Sequence, residues 1–216
     1  MQKPAAVVGW LAPLGQLLVF LVAVMFVVSC RPTFTITSDI DVTLDAPPPV
    51  TKIPITLGVY YDADFRSNSQ ALFLNAGHRH IWPIGKASVT LFDQALPQLF
   101  QKVVPVSKRP PLGKDEGPVA AVMQPRIEEF DCASWPFISS VTYRITLYLP
   151  DGSSFASYLV KGKGEVSFSE TWLHWDNLGV AASYALQDGV RNFMTGFLKV
   201  PEVQRWLQAS GVLDAK

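Results

Sequence analysis

The sequence has little of the side-chain chemistry that enzymes and nucleic-acid-binding proteins commonly use. It contains two cysteines and three histidines among 216 residues. Basic and acidic residues both number 18, so no basic excess is available to neutralise a phosphate backbone. A Gly-x-Ser-x-Gly nucleophile elbow and a Walker phosphate-binding loop are also absent from the sequence. We therefore expect a protein that is not an enzyme, binds no nucleic acid and carries no cofactor.

Charge is also absent from one long stretch near the N-terminus. No charged side chain occurs from Ala5 to Ser29, and Lys3 precedes this run. A segment this apolar is not expected to lie exposed in water, so it is either a cleaved signal segment or a retained transmembrane helix. Its uninterrupted part, Leu17 to Val28, has about twelve residues, which is typical of a signal-peptide core and short for a membrane span.

The end of the apolar run carries a recognisable motif. Val27-Val28-Ser29-Cys30 has an aliphatic residue three positions before a cysteine and a small residue directly before it. In this position the motif resembles the lipobox of bacterial lipoproteins. The resemblance implies a signal peptide over residues 1–29, a diacylglyceryl group on Cys30, cleavage before it, and acylation (palmitate, for example) of the new amino group. By resemblance to the enteric sorting rule, Arg31 in place of an aspartate favours the outer membrane.

The rest of the chain divides into a tether and a domain. Residues 30–52 contain Pro32 and three consecutive prolines, Pro47 to Pro49, and predict a semi-rigid tether that follows the lipidated N-terminus. Within it, Phe34 to Thr37 alternates apolar and polar residues and could instead form an edge strand. Residues 53–216 are long enough for one periplasm-facing domain.

Hydrophobic periodicity predicts an α+β domain with a mainly antiparallel sheet and helices on one face. The expected order is strand, helix, three strands and a helix, followed by a short last helix that begins at Pro201. A long connection from Asp62 to Pro83 separates the first strand from the first helix. The predicted elements are strand Ile53–Tyr61, helix Lys86–Val104 with Pro97 inside it, strands Val119–Phe130, Val141–Leu149 and Ser154–Lys161, and helix Asp176–Lys199.

This order, together with the lipobox, resembles small transport-auxiliary and outer-membrane-assembly lipoproteins. The resembling features are the segment Arg126 to Phe130, the turn Leu149 to Gly152, and the alanine-rich last long helix. The resemblance concerns architecture, and it implies a lipid-anchored protein of the cell envelope. It assigns no functional residue in the domain.

The residue types present allow two kinds of reactive site, a metal site and a nucleophilic thiol. His78, His80 and His174 could bind zinc together with Asp62 or Asp64, but their spacing is more typical of histidines in loops and in packing contacts, so we expect no metal. Cys132 is the only thiol left once Cys30 is acylated, and its aromatic neighbours favour burial over nucleophilic chemistry.

Aromatic residues in connecting segments are the best candidates for a contact surface. Trp135, Trp172 and Trp175 lie in segments on either side of the predicted hairpin, where they could form an exposed patch for a partner protein or for lipid. The sequence thus favours a non-enzymatic binding or assembly module anchored to the membrane, with an envelope protein as partner. A lipid- or glycan-binding auxiliary component of a transport system is the alternative, and a periplasmic hydrolase is the least favoured.

Overall fold

Eight strands and four α-helices make up the described part of the chain. The structure is a computed structural model that describes residues 34–44, 51–74, 78–113, 117–133, 137–167 and 174–213. Of these residues, 34–36, 72–74 and 78–80 belong to one unit and the others to a second, larger unit. In chain order the elements are β1 Phe34–Thr37, β2 Ile53–Val59, α1 Ala63–Ser67, β3 Gln70–Leu74, β4 His78–Trp82, α2 Ile84–Leu99, β5 Phe100–Pro105, β6 Ala121–Ala133, β7 Ile138–Tyr148, β8 Ser154–Glu165, α3 His174–Gly196, a 3-10 helix Phe197–Lys199, and α4 Pro201–Ala209.

The α+β class is confirmed, but the prediction of a mainly antiparallel sheet is wrong. The five-stranded sheet has the order β5-β2-β6-β7-β8, and β2 runs parallel to both of its neighbours. The pairs β6–β7 and β7–β8 are antiparallel. A parallel pair needs a crossover connection, which here contains α2 between β2 and β5. The sheet is therefore mixed, and the strands β1, β4 and β3 form a second sheet in that order.

The stretch Asp62 to Pro83 is more structured than the sequence predicted. Instead of a plain connection, it holds α1, β3 and β4, so the predicted order of elements is also wrong. The Asp62 carboxylate accepts a hydrogen bond from the amide of Phe65 at 2.8 Å and caps the N-terminus of α1. The short length of these elements explains why periodicity did not reveal them.

The predicted helix from Lys86 to Val104 is a helix followed by a strand. Helix α2 ends at Leu99, two residues after Pro97, and β5 begins at Phe100. Val103 and Val104 of β5 are β-branched, which favours the extended conformation. The apolar spacing that suggested one continuous helix therefore spans a helix-to-strand transition.

The core lies between the five-stranded sheet and the long helices α2 and α3. The strand predicted at Val141–Leu149 is confirmed as β7, and Val141, Tyr143, Ile145 and Leu147 of this strand are all 0–1% exposed. The helix predicted at Asp176–Lys199 is confirmed as well, as α3 followed by the 3-10 helix. Its buried residues are Ala181, Ala182, Ala185, Leu186, Val190, Phe193 and Met194, with Phe197 of the 3-10 helix continuing the row.

Helix α3 approaches β8 at two glycines on the inner side of that strand. A Cβ at Gly162 would collide with the Ala185 carbonyl oxygen and lie 2.6 Å from the Cα of Gly189. A Cβ at Gly164 would collide with the Ala181 carbonyl oxygen and lie 2.5 Å from the Ala185 amide nitrogen. Small residues on both elements thus allow the helix backbone to contact the strand directly.

Part of the segment predicted as a tether packs against the helices. We call residues 38–44 the strap, and its three apolar residues are Ile40, Val42 and Leu44, all buried. The Ser183 hydroxyl of α3 donates to the Asp41 carbonyl at 2.8 Å, and the Leu44 amide donates to Gln94 Oε1 of α2 at 2.8 Å. The strap is therefore joined to both long helices.

Candidate functional site

Most residues that the sequence proposed as functional lie outside the described residues. This is the case for the candidate lipidation site Cys30 and for the candidate contact residues Trp135 and Trp172. Trp175 lies in the first turn of α3, and its side chain is likewise outside the described part. These four assignments stay predictions. In the ranges that the structure describes, no helix combines the length and apolar character needed to cross a membrane.

The histidine and aspartate positions considered for zinc do not form a described cluster. His78 and His80 lie in β4, and His174 begins α3. Among the described residues, no three histidine, cysteine, aspartate or glutamate side chains are arranged to share a metal ion.

The Asp62 carboxylate joins α1 to β6. Besides capping α1, it accepts hydrogen bonds from Gln124 Nε2 at 2.9 Å and from Arg126 Nε at 3.2 Å. The Gln124 amide oxygen accepts from the Tyr148 hydroxyl at 3.3 Å, so the network continues to β7. The Asp62 side chain is only 13% exposed. Its oxygens are thus occupied by donors of the protein, which is the arrangement of a structural carboxylate.

Cys132 has the surroundings of an unreactive thiol. It is half-buried on β6, and the Ser139 hydroxyl donates to its sulfur at 3.1 Å. Burial raises the pKa of the thiol, and the Ser139 hydrogen bond only partly offsets this effect. Since the thiolate is the nucleophile, a raised pKa keeps the sulfur in its unreactive form.

Two tyrosines whose hydroxyl groups are buried differ in how these groups are satisfied. The Tyr143 hydroxyl is 2.9 Å from the Ser88 hydroxyl, which itself donates to the Ile84 carbonyl at 2.7 Å. The Tyr158 hydroxyl is buried and has no hydrogen-bond partner in the described part of the chain. Burial raises the pKa of both phenols. The Tyr158 hydroxyl is therefore a locally unfavourable polar group.

Replacing Tyr158 by phenylalanine is expected to stabilise the domain. The substitution keeps the ring and removes a donor that is desolvated without compensation, a situation that costs about 1–3 kcal/mol. Tyr143→Phe is the matched control with the opposite sign, because it removes a paired hydroxyl and should lower the free energy of unfolding by about 1 kcal/mol. Urea unfolding of both variants measures the difference. Equal destabilisation by the two variants would contradict the prediction.

A groove runs beside the edge strand β8. We call it the β8 groove, and it is lined by Tyr158–Lys161 of β8, Asn192 and Gly196 of α3, and Lys199–Glu202 around the start of α4. Its volume is about 510 Å³ and its lining is mainly apolar. This volume lies within the range of roughly 300–1,000 Å³ that is typical of ligand sites.

The rim of the β8 groove carries unneutralised positive charge. Lys161 and Lys199 are exposed, and among the described residues no carboxylate lies within ion-pair distance of either ammonium group. Glu202, the one acidic residue of the lining, is paired with Arg205 at 3.2 Å. The groove therefore combines an apolar floor with two cations that have no carboxylate partner among the described residues.

The backbone edge of β8 is capped over part of its length. The Asn192 amide donates to the Lys161 carbonyl at 2.9 Å, and the Asp188 carboxylate accepts from the Lys163 amide at 3.0 Å. Both side chains come from α3. They satisfy groups that would otherwise face outward from the sheet, which limits edge-to-edge pairing at this end of the strand.

Sequence reasoning identified the β8 strand but not its groove. The sequence predicts that this strand ends at Lys161, but β8 continues to Glu165. In the added part, Gly162 and Gly164 contact α3, whereas Lys161 and Lys163 are exposed. The groove itself depends on how α4 is placed beside β8, which no local pattern in the sequence records.

A solved structure of low sequence identity shares the fold of this chain. No family model matches the sequence, and no curated protein matches it either. Protein XCC0632 from Xanthomonas campestris, of the DUF330 family, is similar with a TM-score of 0.53 at 13% identity, over 79% of this chain and 98% of that one. The hypothetical protein CT253 from Chlamydia trachomatis follows with a TM-score of 0.42 at 11% identity, over 67% and 95% of the two chains. A minor lipoprotein from Acinetobacter baumannii has a TM-score of 0.35 at 7% identity, over 72% and 96%.

Proposed function

We propose that this chain is a lipid-anchored, non-enzymatic binding module of the bacterial cell envelope. Acyl groups on Cys30 hold it at the periplasmic face of a membrane, with the outer membrane favoured by Arg31. The observation that carries the proposal is the position of the lipobox-like motif Val27 to Cys30. It stands at the end of an apolar run with a charged start, and the segment that packs on the domain begins shortly after it, at Ser38.

The proposed anchor is strong enough to act alone. Each buried methylene of an acyl chain contributes about 0.8 kcal/mol, so a single chain binds a membrane marginally and reversibly. Three chains on one residue, as the resemblance implies for Cys30, would hold the protein for its lifetime. The acyl groups then supply localisation, and the domain supplies contact surface.

The strap connects the proposed anchor to the folded part. In addition to its bonds with Ser183 and Gln94, its residue Asp39 pairs with Lys86 of α2 at 3.0 Å. This ion pair is highly exposed and contributes little to stability by itself. The buried apolar residues of the strap contribute more, because they remove hydrocarbon surface from water. The segment that leads from Cys30 thus reaches the domain beside the long helices.

A binding role is supported by the contrast between satisfied and open surfaces. Asp62 was a candidate metal ligand and Cys132 a candidate nucleophile, but both side chains form hydrogen bonds within the protein. The β8 groove, in contrast, offers an apolar floor and free cations. The alternative of a lipid- or glycan-binding auxiliary component is favoured by the same apolar floor, and it is addressed by the binding experiment below.

Substitution of Cys30 by serine tests the anchor. In a Gram-negative host fed with labelled palmitate, the wild-type chain is expected to incorporate the label and to fractionate with membranes. Cys30→Ser should lose all of the label, because the resemblance places every acyl group on the mature Cys30 residue, and it should accumulate as a precursor. Cys132→Ser is the matched control and should keep the label. An intact mass that shows an unmodified start at Met1 in the wild-type chain would overturn the proposal.

A further inference from the structure

We propose that the β8 groove binds an extended, acidic segment of a partner protein, which adds as a strand to the open part of the β8 edge. The inference rests on the proposed binding role, and it names the surface and the kind of partner. It draws on three independent features: the open backbone of β8, the apolar groove beside it, and the two unpaired lysines on its rim.

The backbone of β8 has a capped part and an open part. The strand pairs with β7 without interruption from Ala156 to Glu165. In such an antiparallel pair, alternate residues direct both the N–H and the C=O away from the partner strand. The capping of Lys161 and Lys163 by α3 shows that the odd-numbered residues face outward.

The same alternation places the N–H and C=O groups of Ser157 and Leu159 on the outer edge. In the portion of the chain that the structure covers, no hydrogen bond engages these backbone groups. Leu159 also exposes 50% of its surface, which is unusual for a large apolar residue in this domain. An extended peptide that pairs with residues 157–159 would satisfy donors and acceptors that are already in strand geometry.

The β8 groove lies beside the open part of the edge. Its lining includes Leu159 together with Gly196, Val200 and Pro201 from the opposite side. A strand added to β8 would direct every second side chain toward this wall. The groove would then hold apolar side chains of the added segment, and the strand pairing would fix their spacing.

The rim charges select an acidic segment. Lys161 and Lys199 have no acidic partner among the described residues, so a carboxylate on the added strand would gain two favourable interactions without breaking an existing one. A basic segment would bring like charges together. A lipid with an anionic head could use the lysines and the apolar floor, but it would leave the edge groups of Leu159 without partners, so a polypeptide fits more of the surface.

A synthetic peptide of alternating valine and glutamate residues tests the inference on the full mature protein in detergent. We expect saturable binding by fluorescence anisotropy, and amide shifts in nuclear magnetic resonance confined to residues 157–161 and 196–202. The matched peptide with lysine in place of glutamate should bind at least about tenfold more weakly at low salt. A peptide methylated on alternate amide nitrogens should lose binding, since it keeps the side chains and loses strand pairing.

Two pairs of protein variants locate the site. Gly196→Leu should abolish binding by filling the groove, whereas Gly179→Leu on the same helix should not; a Cβ at either glycine meets no atom within 4 Å. The double variant Lys161→Gln, Lys199→Gln should weaken binding about tenfold. The double variant Lys52→Gln, Lys102→Gln removes the same charge from other exposed positions and should bind as the wild type does.

The outcomes separate this inference from the anchoring proposal. Absence of binding at roughly 1 mM peptide would overturn the groove assignment. So would equal binding of the methylated peptide, or undiminished binding by Gly196→Leu. Binding of lysophosphatidylglycerol that Gly196→Leu abolishes, without binding of the acidic peptide, would replace the peptide by a lipid as the occupant. Label on Cys30 in the same preparation shows that the anchor stands whichever of these results is obtained.

Discussion

Alanine at Gly164 is expected to destabilise the domain by more than about 3 kcal/mol or to prevent folding. The added Cβ would collide with the Ala181 carbonyl and approach the Ala185 amide nitrogen to 2.5 Å. Both atoms belong to the α3 backbone, which can give way only if the whole helix moves off β8. Because the opposing atoms belong to backbone and not to a flexible side chain, the added methyl group overpacks the interface between α3 and β8, which has no free space to accommodate it.

Gly179→Ala provides the matched control for this prediction. It lies on the same helix, and its Cβ would meet no atom within 4 Å, so the gain in helix propensity should stabilise the protein by up to about 1 kcal/mol. Urea denaturation followed by circular dichroism measures both variants. A loss of less than about 1 kcal/mol for Gly164→Ala would contradict the close approach of α3 to β8.

Removal of the Phe92 ring is the second substitution with a large expected effect. Phe92 is fully buried on α2, and its ring centroid lies 5.4 Å from that of Tyr143, 5.6 Å from Phe193 and 6.2 Å from Phe65. Phe92→Ala should lower the free energy of unfolding by about 3–5 kcal/mol, since it loses hydrophobic burial and leaves a cavity. That is a large part of the roughly 5–15 kcal/mol by which a domain is usually stable.

The Phe92 variant also reports on cooperativity. The four rings belong to α1, α2, β7 and α3, so one cavity weakens the contacts of four elements at once. Near- and far-ultraviolet circular dichroism should therefore show coincident unfolding transitions in both wild type and variant. Tyr184→Ala is the control, because this aromatic residue of α3 is 46% exposed and its loss should change stability by about 0.5 kcal/mol or less. An equal loss of unfolding free energy in Phe92→Ala and Tyr184→Ala would contradict the assignment of Phe92 to the core.

The sequence predicted the elements whose residues alternate or repeat over a long stretch. The β7 strand and the buried face of α3 were found because tertiary burial on one side imposes a period on the sequence. Pro201 correctly marked the first turn of α4, since proline suits a position whose N–H has no partner in the helix. These features are local, and local patterns are sufficient to find them.

Strand direction and neighbours were not predictable in the same way. The residues of β2 read as a buried strand, but nothing within them indicates that β5 and β6 lie on either side and run parallel to it. The elements between Asp62 and Pro83 have five residues each, which is too few to show a helical or strand periodicity in the sequence. The transition at Phe100 was missed because its apolar residues satisfy helical spacing as well as strand alternation.

Of the two candidate sites, the sequence predicts the anchor at Cys30 but not the β8 groove. The lipobox-like motif is a contiguous pattern, so the sequence alone supports the proposed anchor at Cys30. The β8 groove joins residues near 160, 196 and 200, which become neighbours only through the packing of α3 and α4. The unpaired state of Lys161 and Lys199 depends on where every acidic residue lies, and a sequence does not contain that information.

The position of β2 inside the sheet, between β5 and β6, has a consequence for the order in which the chain acquires its structure. Strands β6, β7 and β8 follow one another closely in the chain and are joined by short connections, so they can pair rapidly. Strand β2 comes earlier in the chain than its two neighbours in the sheet. Ile53 can pair only after Phe100 is available, and Leu57 only after Ala121 is available. During that interval both edges of an apolar strand are unprotected, and this segment would be the most prone to misassociation or proteolysis before folding is complete.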